Sequence, residues 1–207
     1  MNMGIAERKT KEKTELKALI LAAARGLFLE RGIEETSIRN IAEVIEYSPA
    51  TIYLYFKDKD EILHELHTQG FQEMGSRMRE LMSVSDPMER LKELGRVYLE
   101  FARENTEMYD LMFIAKAPMH FLEKMEEHNW SEGKVAFDFL LNTVEECIAA
   151  GRFAGHDPCG LSFMIWSCVH GMVALEIRDR CKGISNENPD IIFRGAFDAF
   201  IKIIDVL

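Results

Sequence analysis

Residues 36–59, TSIRNIAEVIEYSPATIYLYFKDK, carry the spacing of a helix, a tight turn and a second helix. Ile38, Ile41, Ala42 and Ile45 fall at i, i+3, i+4 and i+7, a single apolar stripe that predicts a first helix over residues 37–45. Thr36 or Ser37 can cap it, because a side-chain oxygen there accepts from a first-turn amide that has no partner inside the helix. Glu46 and Tyr47 interrupt the periodicity. Ser48-Pro49 restarts a helix over 49–56, the hydroxyl capping free amides and the proline sitting where no N–H is needed. Ile52 and Phe56, at i and i+4, point inward and leave Ala50, Thr51, Tyr53 and Tyr55 on or near the outward faces. A short helix with small and hydroxylated residues at its exposed start can enter a DNA major groove, where the backbone must come close to base edges.

The rest of the chain reads as helices separated by capping signals. Leu16, Ile20, Ala23, Leu27 and Phe28 share one face of a helix over 14–31, with Gly32 as its stop. Residues 1–13, with Arg8, Lys9, Lys11 and Lys13, read either as a frayed, solvated tail or as a basic arm laid along DNA. Asp58 and Glu61 form a capping box that opens a long helix over 59–82. Asp86-Pro87, Asn105-Thr106, Asp157-Pro158 and Asn188-Pro189 open helices over 87–104, from 106, over 158–181 and to residue 207. Ala117-Pro118 breaks the second of these, residues 119–128 make a short helix or lid, and 134–150 is helical to Gly151. No segment alternates with period two, so the expected fold is all-α with about nine helices. A helix-turn-helix domain over 1–58 would precede a helical domain over 59–207.

A chain of 207 residues with 47% hydrophobic content can bury a substantial core. Its net charge of -10 argues against a nucleic-acid binder until its distribution is considered. Residues 1–60 hold ten basic and ten acidic side chains, so the whole excess of acid lies beyond them. An acidic body behind a neutral head turns the head toward phosphate. Cys147, Cys159, Cys168 and Cys181 have wide spacings that fit a reducing cytosol, either as buried structural thiols or, with His156, as a redox or metal sensor. His64 and His67, with Glu61 nearby, are surface histidines or two ligands of an incomplete metal set. No run of the sequence reaches membrane-spanning length, and the expectation is a cytoplasmic protein with no membrane partner. No Gly-rich phosphate loop, nucleophile elbow or compact metal constellation is present, so the expectation is no enzyme and no cofactor.

Residues 16–63 resemble the DNA-binding domain of the tetracycline-repressor (TetR) family of bacterial transcription regulators. The segments ILAAARGLFLERGIEETSIRNIA (20–42) and SPATIYLYFKDKDEIL (48–63) carry the likeness. It implies that Ser48, Pro49, Ala50, Thr51, Tyr53 and Tyr55 form the recognition surface, that Arg39 contacts a base from the preceding helix, and that Lys59 contacts phosphate. Packing beneath the helix is the alternative for Tyr53 and Tyr55. Glu46 departs from the family pattern, which usually has glycine in the turn; a positive φ there costs a side chain on the order of 1 kcal/mol. Methionine and phenylalanine are frequent beyond residue 70 and serve either as plain core or as the lining of an adaptable apolar cavity. The family resemblance implies that this region binds a lipophilic small molecule, with Met78, Met82, Tyr98, Met108, Tyr109, Met112, Phe113, Phe137 and His170 as candidate lining. Trp166, His170 and Gly171 resemble a Trp-x3-His-Gly motif of one subgroup. The family's usual dimer of paired C-terminal helices implies an interface that includes Trp166, Gly171, Phe197 and Ile201. The resemblance thus implies a homodimeric, ligand-released repressor of a palindromic double-stranded DNA site; a thiol- or metal-responsive regulator on the same scaffold is the alternative.

Overall fold

The computed structural model describes residues 4–115, 131–184 and 188–207. Among them are nine α-helices: α1 Ile5–Arg31, α2 Ile38–Val44, α3 Pro49–Ile52, α4 Lys59–Glu80, α5 Pro87–Glu104, α6 Thr106–Phe113, α7 Ser131–Ala149, α8 Pro158–Ile177 and α9 Pro189–Val206. Two 3-10 turns, Leu81–Ser83 and Arg180–Gly183, follow α4 and α8, and no strand occurs among the described residues. The all-α expectation therefore holds. The expected short helix or lid at 119–128 lies outside the described residues.

The caps sit where the side chains place them. Ser48 Oγ accepts from Thr51 N, Asp86 Oδ1 from Met88 N and Glu89 N, Asp157 Oδ2 from Gly160 N, and Asn188 Oδ1 from Asp190 N. Each satisfies one or two amides that the helix itself cannot, an effect of about 1 kcal/mol per cap. Several boundaries differ from the periodicity, α7 for one starting at Ser131 rather than residue 134. α1 starts at Ile5 rather than residue 14, because Arg8–Glu12 and Lys11–Glu15 pairs at i,i+4 and a Glu7 carboxylate on Gly4 N support the polar turns. α3 ends at Ile52, although Phe56 N still donates to Ile52 O at 3.0 Å, so the backbone continues as turns to the expected end. α8 ends at Ile177, and Asp179 leaves the helical region with φ 56°.

Compactness divides the chain into two units, residues 1–69 with 111–128, and residues 70–110 with 129–207. This division falls inside α4, between residues 69 and 70, and Ile62, Leu63 and Leu66 in the first turns of α4 are buried. In the head, Ile20, Ala24 and Leu27 of α1 join Ile41, Ile52 and Phe56 in a buried core. Each such side chain contributes about 1.5–3 kcal/mol by leaving water. In the body, α5 is sharply two-faced, burying Leu91, Leu94, Tyr98, Phe101 and Ala102. α9 lays Phe193, Phe197, Phe200 and Ile204 inward at helical spacing. The Phe197 ring lies 3.1 Å from the place a Cβ would occupy on Gly95 of α5. Arg90, also buried, donates Nε and one terminal nitrogen to Val84 O and the other to Glu146, closing the entry to α5.

α8 corrects the reading that no run reaches membrane-spanning length. An 18-residue window within its 20 residues has mean hydropathy 1.4, enough by length and composition alone, and 28% of that window is buried. Leu161, Ile165, Val169 and Val173 point into the bundle, while Phe163, Met164, Cys168 and Leu175 are exposed. One helix is therefore apolar on both its inner and outer faces.

Candidate nucleic-acid interface and effector site

The head presents a helix-turn-helix whose turn is locked from both sides. Ser37 caps α2, its hydroxyl accepting from Asn40 N while Asn40 Oδ1 accepts from Ser37 N. Thr36, the other capping candidate, is instead buried, its hydroxyl donating to Gly32 O at 2.8 Å across the α1–α2 loop. At the other end of α2, Tyr47 N donates to Ala42 O and Glu46 N to Glu43 O, the paired bonds of a Schellman ending. That ending needs a left-handed residue, and Glu46 supplies it with φ 58°. The geometry usual with glycine is thus kept by a glutamate.

The implied recognition residues surround α3. Ser48 caps it, Pro49 is its first residue and half-buried, Ala50 is exposed, and Thr51 is half-buried with its hydroxyl 3.0 Å from Ser48 Oγ. Tyr53 is 55% exposed and Tyr55 half-buried. Arg39 lies exposed on α2. Leu54, 77% exposed, was missed, although it lies two positions from both buried Ile52 and buried Phe56 and so opposite them on a helix. Val44 and Tyr47 add further exposed apolar surface along the turn. Lys59 has a role that spacing did not reveal. Its ammonium donates to Ile33 O at 2.7 Å and Thr36 O at 3.0 Å, tying the start of α4 to the loop between α1 and α2. Lys17 braces the same head, 2.9 Å from Glu65 and above the Phe56 ring.

The body gathers a second set of predicted residues. Tyr98 Oη and Tyr109 Oη lie 2.9 Å and 2.7 Å from one atom, His170 Nδ1, and Trp166 Nε1 donates to Tyr98 Oη at 3.4 Å. α5, α6 and α8 are joined by this group. Burial pushes the Tyr109 phenol up to about 12 and Tyr98 well above its usual range. Burial, aided by the Arg178 charge, holds His170 below the ordinary imidazole range. The group is therefore uncharged near neutrality. Met78 and Met108 are buried and Phe137 half-buried in the body, whereas Met112 is buried and Phe113 half-buried in residues grouped with the head. Met82 departs from the expected lining: it sits on the 3-10 turn after α4 and is 59% exposed.

One of the expected dimer residues turns inward: Phe197 is buried against Gly95, whereas Trp166, although Nε1 donates to Tyr98 Oη, is half-buried. Ile201 is half-buried, and among the described residues, apart from its chain neighbours and its own helix backbone, nothing comes within 4 Å of a Cβ placed on Gly171. Cys147 and Cys181 are buried, the Cys147 thiol pushed up to about 11 by burial, while Cys159 and Cys168 are exposed on α8. His64 and His67 rings stack 6.1 Å apart, and no group of three metal-ligating side chains occurs among the described residues.

Comparison with known proteins agrees with this architecture. Residues 20–66 match the family described as bacterial regulatory proteins, tetR family, and residues 91–200 match the tetracyclin repressor-like C-terminal domain. An uncharacterised HTH-type transcriptional regulator, YhgD of Bacillus subtilis, is 27% identical over 143 residues, covering 69% of this chain and 74% of that protein. The HTH-type transcriptional regulator AcrR of Shigella flexneri is 27% identical over 149 residues, covering 69% of each. The fatty acid degradation regulator FadR from Bacillus halodurans superimposes with a TM-score of 0.71 at 19% identity, covering 89% of this chain and 94% of that one, a likeness of fold.

Proposed function

The chain belongs to the tetR family of bacterial regulatory proteins, DNA-binding transcriptional regulators, and on that premise we propose that it is a homodimeric repressor released from a palindromic operator by a lipophilic small molecule. Each α3 enters a major groove, the two grooves lying about 34–36 Å apart on one side of the duplex. The observation that carries this reading is the short α3, capped by Ser48, with Ala50 and Tyr53 exposed beside it. Pro49, Ala50, Thr51 and Tyr53 approach base edges, Arg39 reaches a further base, and Ser48 and Tyr55 support the docking. Lys59 donates two N–H groups internally, and an ammonium has three, so the third serves a phosphate.

Met78, Tyr98, Met108, Tyr109, Phe137 and His170 form the effector site of the body. Release requires an effector that prefers the DNA-incompetent arrangement, and a preference of about 100-fold is worth about 2.7 kcal/mol. α4, one continuous helix from Lys59 to Glu80, carries the change to the head. The exposed apolar faces of α8 and α9, including Met164, Leu175, Ile191 and Ile203 with Gly171, meet a second copy. Burying these faces offsets the cost of exposing a helix apolar on both sides.

Selection of bound sequences from a random duplex pool tests the reading. A palindrome with half-sites about one helical turn apart is the expected recovery. A folded dimer that recovers nothing above background would sink it.

A further inference from the structure

The turns that follow α3 complete a face that its four helical residues only begin. Tyr53 N donates to Pro49 O at 3.2 Å, Leu54 N to Thr51 O at 3.2 Å and Phe56 N to Ile52 O at 3.0 Å, so the backbone keeps turning through residue 56. Ile52 and Phe56 are buried on its inner side. Ala50, Tyr53 and Leu54, at i, i+3 and i+4, share the outer side, and all three are exposed. At 77%, Leu54 is the most exposed large apolar side chain among the described residues of the head.

A duplex offers such a side chain few partners. Phosphates and the nitrogen and oxygen edges of the bases require a donor or an acceptor, and leucine has neither. Pressing it onto them would strip water from polar atoms without returning a hydrogen bond. The major groove presents one methyl group, on C5 of thymine, and an apolar side chain meets it by excluding water from both. Ala50, one turn earlier on the same face, adds no bulk that would hold the backbone away from the base edges. Tyr53 differs from its neighbour because its hydroxyl can donate to a phosphate or a base. The two adjacent residues thus divide a polar and an apolar reading of the groove.

Resting on the reading above that α3 enters a major groove, we propose that Leu54 is a specificity-determining residue that reads the C5-methyl group of one thymine in each half-site. Deoxyuridine pairs as thymidine does and lacks only that methyl, so it is the matched probe.

The test takes the palindromic duplex recovered by selection and replaces each thymidine in turn, in both half-sites together, with deoxyuridine. Anisotropy titration of the wild-type protein should find one position where losing the methyls weakens binding by about tenfold or more, the product of about fourfold per half-site. Leu54→Ala should bind the unmodified duplex more weakly by a similar factor and lose the methyl dependence at that position, whereas Leu54→Met, which keeps apolar surface, should retain most of it. Both variants should melt with the wild type, because the side chain is exposed. Only the coupling between side chain and methyl separates reading from support. Tolerance of deoxyuridine within about twofold at every position overturns the proposal, as does a methyl dependence that Leu54→Ala leaves intact. A changed oligomeric mass of Leu54→Ala with DNA binding unaltered would assign the residue to a protein contact and overturn it too. These outcomes leave the repressor reading standing; recovery of no duplex by a folded dimer fails that reading and takes the role of Leu54 with it.

Discussion

The recognition surface of the head and the polar group of the body are assembled over very different distances along the chain. Residues 39–59 contain every implied DNA contact, and all but Lys59 lie in or beside helices set by caps and turns within a few positions. The body group joins residues 98, 109, 166 and 170, with bonds that span 61 to 72 positions. A local site is written in spacing, whereas a long-range site exists only once helices have packed. Substitutions in the head should therefore act on binding with small global costs, and those in the body should act first on stability.

The largest expected effect lies in the body. Phe101 is fully buried in α5 beneath the Arg77 guanidinium, and Phe101→Ala should lower unfolding free energy by about 3–5 kcal/mol in denaturant titrations. A loss below about 1 kcal/mol would mean that body packing is looser than this contrast requires. Lys59→Ala should blur the contrast, because it removes two charge-assisted bonds to the α1–α2 loop. Its expected cost is about 1.5–3 kcal/mol of stability, with weaker binding on all sequences and a salt slope reduced by about one. A sequence-selective loss would contradict the phosphate role. Tyr53→Ala and Thr51→Ala should each weaken specific operator binding by about 1–3 kcal/mol in gel-shift titrations while dimer stability stays unchanged. Unchanged affinity would remove both from the recognition surface.

Glu46→Gly sharpens the comparison most finely. Gly151 and Glu46 occupy the same position of two Schellman endings, with φ 87° and 58°, yet only one is glycine. Relieving the left-handed glutamate should stabilise the head by about 1 kcal/mol, read as a higher melting temperature. No gain would mean that the Glu46 side chain offsets its backbone strain.

Most helix starts were legible because serine, aspartate and asparagine caps act within three residues. The start of α1 was not, since polar turns held by i,i+4 ion pairs have no apolar stripe to announce them. Packing beneath the helix was open for both Tyr53 and Tyr55, and the structure leaves Tyr53 exposed and Tyr55 half-buried. Trp166 and Phe197 read as interface residues because an apolar residue on a terminal helix has the same signature whether its partner is the same chain or another copy. For Phe197 the contact to Gly95 decided between those two.

The sequence by itself determined an all-helical chain, most of its caps and the helix-turn-helix, because all of these depend on interactions between near neighbours. Only the tertiary structure decided that Lys59 is tied to the loop of the head, that Met82 lies outside any buried lining, and that Tyr98, Tyr109 and Trp166 converge on His170. Those outcomes depend on which helix faces meet, and periodicity states that a face is apolar without naming what it packs against.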